Sequence, residues 1–323
     1  MVADDPGGAV RKIKNVLVCV PITLFGAVRI FAHAGKPDGP DDLWTDWSFD
    51  PLIVGGLVTT LVVYGYGLFR LWRSSEKGRG ISGWAAAAFA AGWLSLVIAL
   101  VSPLHPWGEV LFSAHMTQHE ILMLISAPLF VLARPLIATM WAVPAAWRVP
   151  ITEFFRTGPF VRLWKFFTNG FVAWAVHAIA LWAWHIPVLF QATLESDLVH
   201  TLQHASFFGT ALLFWWAIIY GRRDLASYGA GVLYLFTTSI HSVVLGAFLT
   251  FTTRVWYPAY SGSTAAWGLT PLEDQQLGGL IMWVPAGIVY ILAALFMFAG
   301  WLRESEKRVL RHEQLWASST SKI

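Results

Sequence analysis

The chain has 323 residues, of which 56% are apolar and only 13% charged, with a formal net charge of +3 and 19 tryptophans. That composition excludes a water-soluble globular domain and an intrinsically disordered chain, because too few polar residues remain to clothe a surface. The net charge excludes little by itself, and where the basic residues fall says more.

In chain order, "RKIKN" precedes the 13-residue apolar run "VLVCVPITLFGAV", then Arg29 and "AHA". A charged n-region, a short h-region and an A-x-A site predict a signal peptide over residues 1–34, cleaved after Ala34, the alternative being an N-terminal anchor. The single cysteine, Cys19, lies in this run, so a cleaved chain would carry neither a thiolate ligand nor a disulfide.

A hydrocarbon core about 30 Å thick needs roughly 20 apolar residues at about 1.5 Å each. Seven such windows follow, at about 51–72, 81–101, 109–132, 168–189, 198–220, 229–252 and 275–302. In lipid every backbone polar group must be satisfied internally, and these windows are too long for barrel strands. The expected fold is all-α: a polytopic membrane protein with a seven-helix transmembrane domain over 35–303 and a tail over 304–323. Between the third and fourth windows, residues 133–167 carry four prolines and the amphipathic "LIATMWAVPAAW", which predicts an interfacial helix hairpin.

Lys and Arg concentrate in "RLWRSSEKGRG", in the stretch from Arg134 to Lys165, in "YGRRDL" and in the tail, so every second loop and the C-terminus are expected inside, and the mature N-terminus outside. These charges sit in short loops beside the bilayer and read as topology signals rather than a nucleic-acid patch.

Polar residues within the windows carry the functional signal. Of ten histidines, five fall at one depth: His115 and His119 at the start of the third window, His185 at the end of the fourth, and His200 and His204 at the start of the fifth. All five lie within roughly 15 Å of the outer boundary. "HMTQH" (115–119) and "HTLQH" (200–204) share the pattern H-x-x-Q-H, which puts both imidazoles on one helix face. A lone histidine would read as interhelical glue, as do Asn169, Thr237, Thr238 and Ser239. Five at one depth point to a shared metal or cofactor site, since each is costly in hydrocarbon unless it lines a cavity or binds something.

Gln118 and Gln203 are placed to orient imidazoles. Asp274 reads as the cap of the seventh helix, a further ligand, or the group fixing a ligand's tautomer. Glu120 points away from His119, and "HEILM" lacks the second histidine of a metalloprotease helix. Met123 and Met282 offer thioethers suited to Cu(I) but read more readily as packing. His105 reads as peripheral. His177 and His241, near the midplane, are either satisfied core histidines or a second, deeper site. Imidazole suits copper, zinc, iron and nickel alike, so ligand type leaves the ion open.

"WTDWSFDP", "FSAHMTQHEILMLISAPLFVLARP", "WHIP" and "HTLQHASF" together resemble the multi-spanning CtaG-type family of cytochrome c oxidase assembly factors, over about residues 40–302. The resemblance implies a bacterial inner-membrane protein that helps mature a haem-copper oxidase and handles copper. The motif positions it carries over are His115, Gln118, His119, His185, His200 and His204. On that reading the chain takes copper from an outer-face donor and passes it to an oxidase subunit, without enzymatic chemistry. Two alternatives stay open. One is a seven-span zinc hydrolase using Asp274 or Glu120 as base with help from Ser113. The other is a haem electron carrier with one axial histidine from each H-x-x-Q-H helix.

Overall fold

The computed structural model describes Gly39 and residues 47–74, 80–221 and 225–320. The expected signal segment 1–34, with Cys19, and parts of two basic loops lie outside them. No strand occurs among the described residues.

Local chemistry sets the helix ends. Asp50 accepts hydrogen bonds from the amides of Leu52 (2.7 Å) and Ile53 (3.0 Å), and Pro51 occupies the first helical position, so "SFDP" launches α1 (Pro51–Ser74). Ser82 caps α2 (Gly83–Leu100) through the Ala85 amide, and a short helix, α3 (Leu104–Val110), follows. The third window comprises α4 (Phe112–Glu120), a π-helical stretch over Ile121–Ser126, and α5 (Ala127–Leu132). Next come α6 (Pro135–Ala142), α7 (Ala145–Phe155), α8 (Gly158–Phe167) and α9 (Gly170–Trp184). The bundle is completed by α10 (Pro187–Glu195), α11 (Asp197–Tyr220), α12 (Leu225–Phe251) and α13 (Pro271–Thr320).

Five stretches are long and apolar enough to cross a membrane, α2 and α3 counting together as Gly83–Val110. Two bent pairs, Phe112–Leu132 with Pro135–Ala142 (56°) and Gly158–Phe167 with Gly170–Trp184 (64°), bring the number to seven if each is one span. The protein is thus an all-α polytopic membrane protein, and these helices cover the seven windows read from the sequence. Both bends have local causes. Arg134 adopts the left-handed conformation (φ 54°) immediately before Pro135, where a proline's ring disfavours helix in the preceding residue. At the second bend Asn169 restarts the chain by capping α9 through the amides of Phe171 and Val172. Asn169 is therefore a helix cap, not the interhelical glue expected of it. Thr237 likewise bonds within its own helix, to the carbonyl of Leu233 at 2.8 Å.

Three short helices, α6 to α8, replace the expected interfacial hairpin, because Pro144 and Pro159 each force a new start. Two arginines hold this corner. Arg70 of α1 donates to the carbonyls of Ala142 and Val143 at the end of α6, and Arg148 donates to those of Trp141 and Val143 while its guanidinium lies 4.3 Å from the Trp141 ring centre. Elsewhere α12 and α13 run along each other as the most extensive helix pair. Their backbones touch at Gly246 and Gly279: a Cβ on Gly246 would lie 2.9 Å from the Gly279 carbonyl oxygen, so larger residues would push the helices apart.

Candidate metal centre

Four elements end at one side of the bundle, opposite the arginine corner: α3, the start of α4, the end of α9 and the start of α11. Each brings histidine. In an α-helix residues four apart stack on one face, so His115 and His119 on α4 lie 4.4 Å apart between ring centres, as do His200 and His204 on α11. The two helices face each other across these pairs. His115 is 5.0 Å from His200 and 5.6 Å from His204, and His119 is 5.2 Å from His204. His185, the residue that ends α9, joins from the third side at 6.4 Å from His119. All five are buried.

A sixth member was missed from the sequence. His105 reads as peripheral there, yet α3 folds it onto the cluster, stacked on His200 at 5.5 Å and 6.4 Å from His204. The helix breaks only briefly at Val101–Pro103 and resumes as α3, so His105 sits on a helix and not in a loop. The usable signal was "SPLHPW": a serine three residues and a proline two residues before His105 open a short helix rather than a loop.

Hydrogen bonds decide which ring nitrogens remain for an ion. His185 Nδ1 donates to the carbonyl of Leu181 at 2.6 Å, leaving Nε2 as the lone-pair nitrogen, and that Nε2 has no partner. His115 Nδ1 lies 3.2 Å from the Gly108 carbonyl and its Nε2 3.0 Å from the Gln203 side chain. The Gln203 atom facing Nε2 is the amide oxygen, so a neutral His115 donates to only one of its two oxygen neighbours. His200 Nε2, His204 Nε2 and both nitrogens of His119 are buried without a hydrogen-bond partner. Buried polar atoms are ordinarily paired, and several orphaned imidazole nitrogens in one place need an explanation beyond packing. His185 shows the arrangement that presets a histidine for metal, a backbone contact on one ring nitrogen and a free nitrogen on the other.

The surroundings lock this geometry. Gln118 donates to the Ala99 carbonyl at 2.7 Å and lies 3.1 Å from His105 Nδ1, so it orients His105 and not a partner on its own helix. Gly108 is required here, since a Cβ would collide with the Gln118 side-chain oxygen. Asp274 corrects the expectation most. The seventh helix is capped by Thr270, which pairs reciprocally with Glu273 (Thr270 N to Glu273 Oε2 2.8 Å, Glu273 N to Thr270 Oγ1 3.2 Å), a capping box. Asp274, one turn in, instead accepts from the amides of Phe112 (2.6 Å) and Ser113 (3.1 Å) and the Ser113 hydroxyl (2.5 Å). It caps α4, a different helix, and so fixes the start of the helix that carries His115 and His119.

The connection from α12 to α13 covers the cluster with aromatic rings. Tyr260 donates to the Gly108 carbonyl at 3.0 Å, and Tyr257 to the His185 carbonyl at 2.9 Å. Burial, with the nearby Asp274 carboxylate, Tyr257 and Glu109, keeps the Tyr260 hydroxyl protonated well above the usual phenol range. Phe112 and Phe190 pack between Tyr257 and the histidines.

Glu120, next to His119 along α4, points away from the cluster, as its helical position requires, and is buried. Met123 and Met282 are buried in the main apolar core with Phe214, Trp215 and Tyr290. His177 and His241 lie apart, between α9, α11 and α12.

Residues 62–304 match the family described as cytochrome c oxidase caa3 assembly factor (Caa3_CtaG). The chain belongs to that family. Uncharacterized proteins of Mycobacterium bovis and Mycobacterium tuberculosis are each 26% identical to it over 306 residues, covering 91% of this chain and 45% of the relative. One of Mycobacterium leprae is 24% identical over 308 residues, covering 90% and 45%. The chain thus spans a little under half the length of the curated relatives it matches. No solved structure matches it.

Within this Caa3_CtaG chain the donors come close to a metal's demands. His115, His200 and His204 each offer a ring nitrogen, all within 4.8 Å of one another. Metal to nitrogen distances of about 2.0–2.1 Å put the nitrogens of a trigonal or tetrahedral site about 3.3–3.6 Å apart, so modest ring rotations close the difference.

Proposed function

We propose that this protein serves the assembly of a haem-copper cytochrome c oxidase by holding copper as cargo in the histidine cluster and passing it to the oxidase subunit. The observation that carries this reading is the buried His115, His200 and His204 group, with the unpartnered nitrogens of His119 and His185 beside it, in a chain of an oxidase assembly family. Five neutral imidazoles supply more donors than one ion needs. An ion can therefore shift between overlapping donor sets without losing all its ligands, which suits a carrier better than a permanent holder. His105, only partly covered, would be the first ligand met from outside. An outer-face donor would load it there, and a subunit whose own copper site is imidazole-rich would take the ion by ligand exchange.

The basic residues at the opposite end of the bundle, Arg70, Arg73, Arg134, Arg148 and Lys165, support a bacterial plasma-membrane location with the cluster toward the outer face. Two other readings fare worse. The hydrolase loses its base, because the Asp274 carboxylate is taken up by three donors of α4 and Glu120 is not part of the His115, His200 and His204 group. The haem carrier needs opposed imidazoles with a flat macrocycle between them, whereas the rings here pack within 4.4–6.4 Å of one another. The test is copper analysis of the purified protein alongside a variant with His115, His119, His200 and His204 all changed to alanine. Copper in the wild type and none in the variant is expected; equal copper in both overturns the proposal, and stoichiometric zinc without copper favours the hydrolase.

A further inference from the structure

At the arginine end of the bundle, which the basic loops mark as the inner one, a cavity of about 240 Å³ opens between α6 and α11, lined by Arg134, Leu136, Ile137, Trp216 and Tyr220. Its walls are aromatic and aliphatic, the Trp216 and Tyr220 rings lying 4.7 Å apart along α11. Tyr220 donates its hydroxyl proton to the Val131 carbonyl at 3.2 Å, so the one charged group in the lining is the Arg134 guanidinium. Leu136 is 56% exposed, which leaves the cavity open on one side. A pocket that encloses a whole drug-sized molecule measures about 300–1,000 Å³. This smaller, open one suits a ligand that enters only in part and keeps its remainder in the bilayer.

Arg134 holds its place against its own backbone preference. Among the described residues it alone combines a side chain with a positive φ (54°), a conformation that glycine adopts at far lower cost at the end of a helix. An arginine kept at a glycine's position points to a use for its side chain. That use is not structural in the way of Arg70 and Arg148, whose guanidiniums close helix ends. No hydrogen bond or ion pair among the described residues engages the guanidinium of Arg134.

The charge of the occupant follows from the surroundings. Residues 133–167 hold five basic side chains, Arg134, Arg148, Arg156, Arg162 and Lys165, against one acidic, Glu153. Helix α8, bent 64° from α9, buries none of its residues and meets the cavity wall through Trp164, whose ring lies 5.4 Å from that of Trp216. Arg162 and Lys165 flank Trp164 in sequence, and Phe160, Leu163 and Phe166 remain exposed, the composition of a helix that meets a membrane surface. Basic pockets between helices on the cytoplasmic side suit anionic headgroups, and a guanidinium offers paired donors to phosphate oxygens. We propose that this cavity binds one anionic phospholipid of the inner leaflet, its phosphodiester against Arg134 and the start of an acyl chain between α6 and the Trp216 and Tyr220 rings. The lipid would bridge the inner ends of the third and fifth spans, the two that carry the H-x-x-Q-H segments. The site stands on its own residues whatever the histidine cluster carries.

The experiment is native mass spectrometry of the full-length protein in detergent micelles, titrated with dioleoyl phosphatidylglycerol or dioleoyl phosphatidylcholine. Wild type should take up one phosphatidylglycerol at about tenfold lower concentration than phosphatidylcholine. Arg134→Gly, which suits the left-handed backbone and removes only the side chain, should abolish that preference with Tm unchanged or raised. Arg134→Gln should abolish it as well. Arg156→Gln combined with Lys165→Gln should keep the preference, because surface charge alone does not make the site. Equal uptake of the two lipids by wild type, or a preference that survives in Arg134→Gly, would overturn the proposal. So would a preference lost with Arg156 and Lys165, or displacement of the bound lipid by an equal concentration of glycerophosphoglycerol, which has the headgroup but no acyl chain.

Discussion

The two ends of this bundle both hold polar side chains against apolar helices, and they treat them in opposite ways. At the arginine corner, every contact of Arg70 and Arg148 described here ends on the chain itself, on carbonyls that close α6 or on the Trp141 ring. At the histidine end, the chain satisfies one nitrogen of His185 and leaves its other nitrogen, His200 Nε2, His204 Nε2 and both nitrogens of His119 unpaired. The first arrangement directs its hydrogen bonds to holding shape. The second keeps capacity in reserve, at a cost in stability that makes sense only if something else supplies the missing partner.

That contrast can be broken by substitution. Changing His115, His119, His200 and His204 together to alanine should remove bound copper to background, at least a hundredfold loss in affinity, and should also lower stability, because four buried rings leave a cavity and the partners of His115 lose their bonds; elemental analysis and thermal unfolding in detergent check both halves. Asp274→Ala should cost about 2–4 kcal/mol, since three bonds to a buried carboxylate vanish and the start of α4 loses its cap. It should also weaken copper binding, because the helix whose start it fixes carries His115 and His119. Arg148→Ala should lower stability by about 1–2 kcal/mol and leave copper content as in the wild type; a matching loss of copper would mean that the corner is not purely structural. Gln118→Leu should weaken binding about tenfold by releasing His105, without a comparable stability change, as measured by competition with a copper chelator. The smallest effect concerns Tyr260, whose proton is retained where an unfolded tyrosine loses its own near pH 10. Its contribution is complete below that pH and falls as pH rises beyond it, so Tyr260→Phe should flatten the alkaline limb of the stability profile.

Much of this was legible in the residues. The windows from 51 to 302 coincide with helices because length and apolarity suffice to define a membrane span. The two H-x-x-Q-H segments are recognisable because a helix repeats its face every four residues, and the observed ring separation within each pair follows from that alone. Where the sequence misled, the cause was a partner far along the chain. Asp274 sits where a cap or ligand belongs, but its three donors lie more than 160 residues earlier. His105 looks like a loop residue until α3 folds over the cluster. Gln118 stands three residues from His115 yet serves His105 instead.

By itself, then, the sequence determined the all-α membrane-spanning class, the placement of the spans and the common depth of five histidines, because hydrophobic length and helical period are properties of contiguous residues. Only the tertiary structure decided which helix faces which, that His105 completes the cluster, that Asp274 caps its neighbour, and which ring nitrogens stay unpaired. Those depend on contacts between residues 13 to 162 positions apart, and no local pattern encodes them.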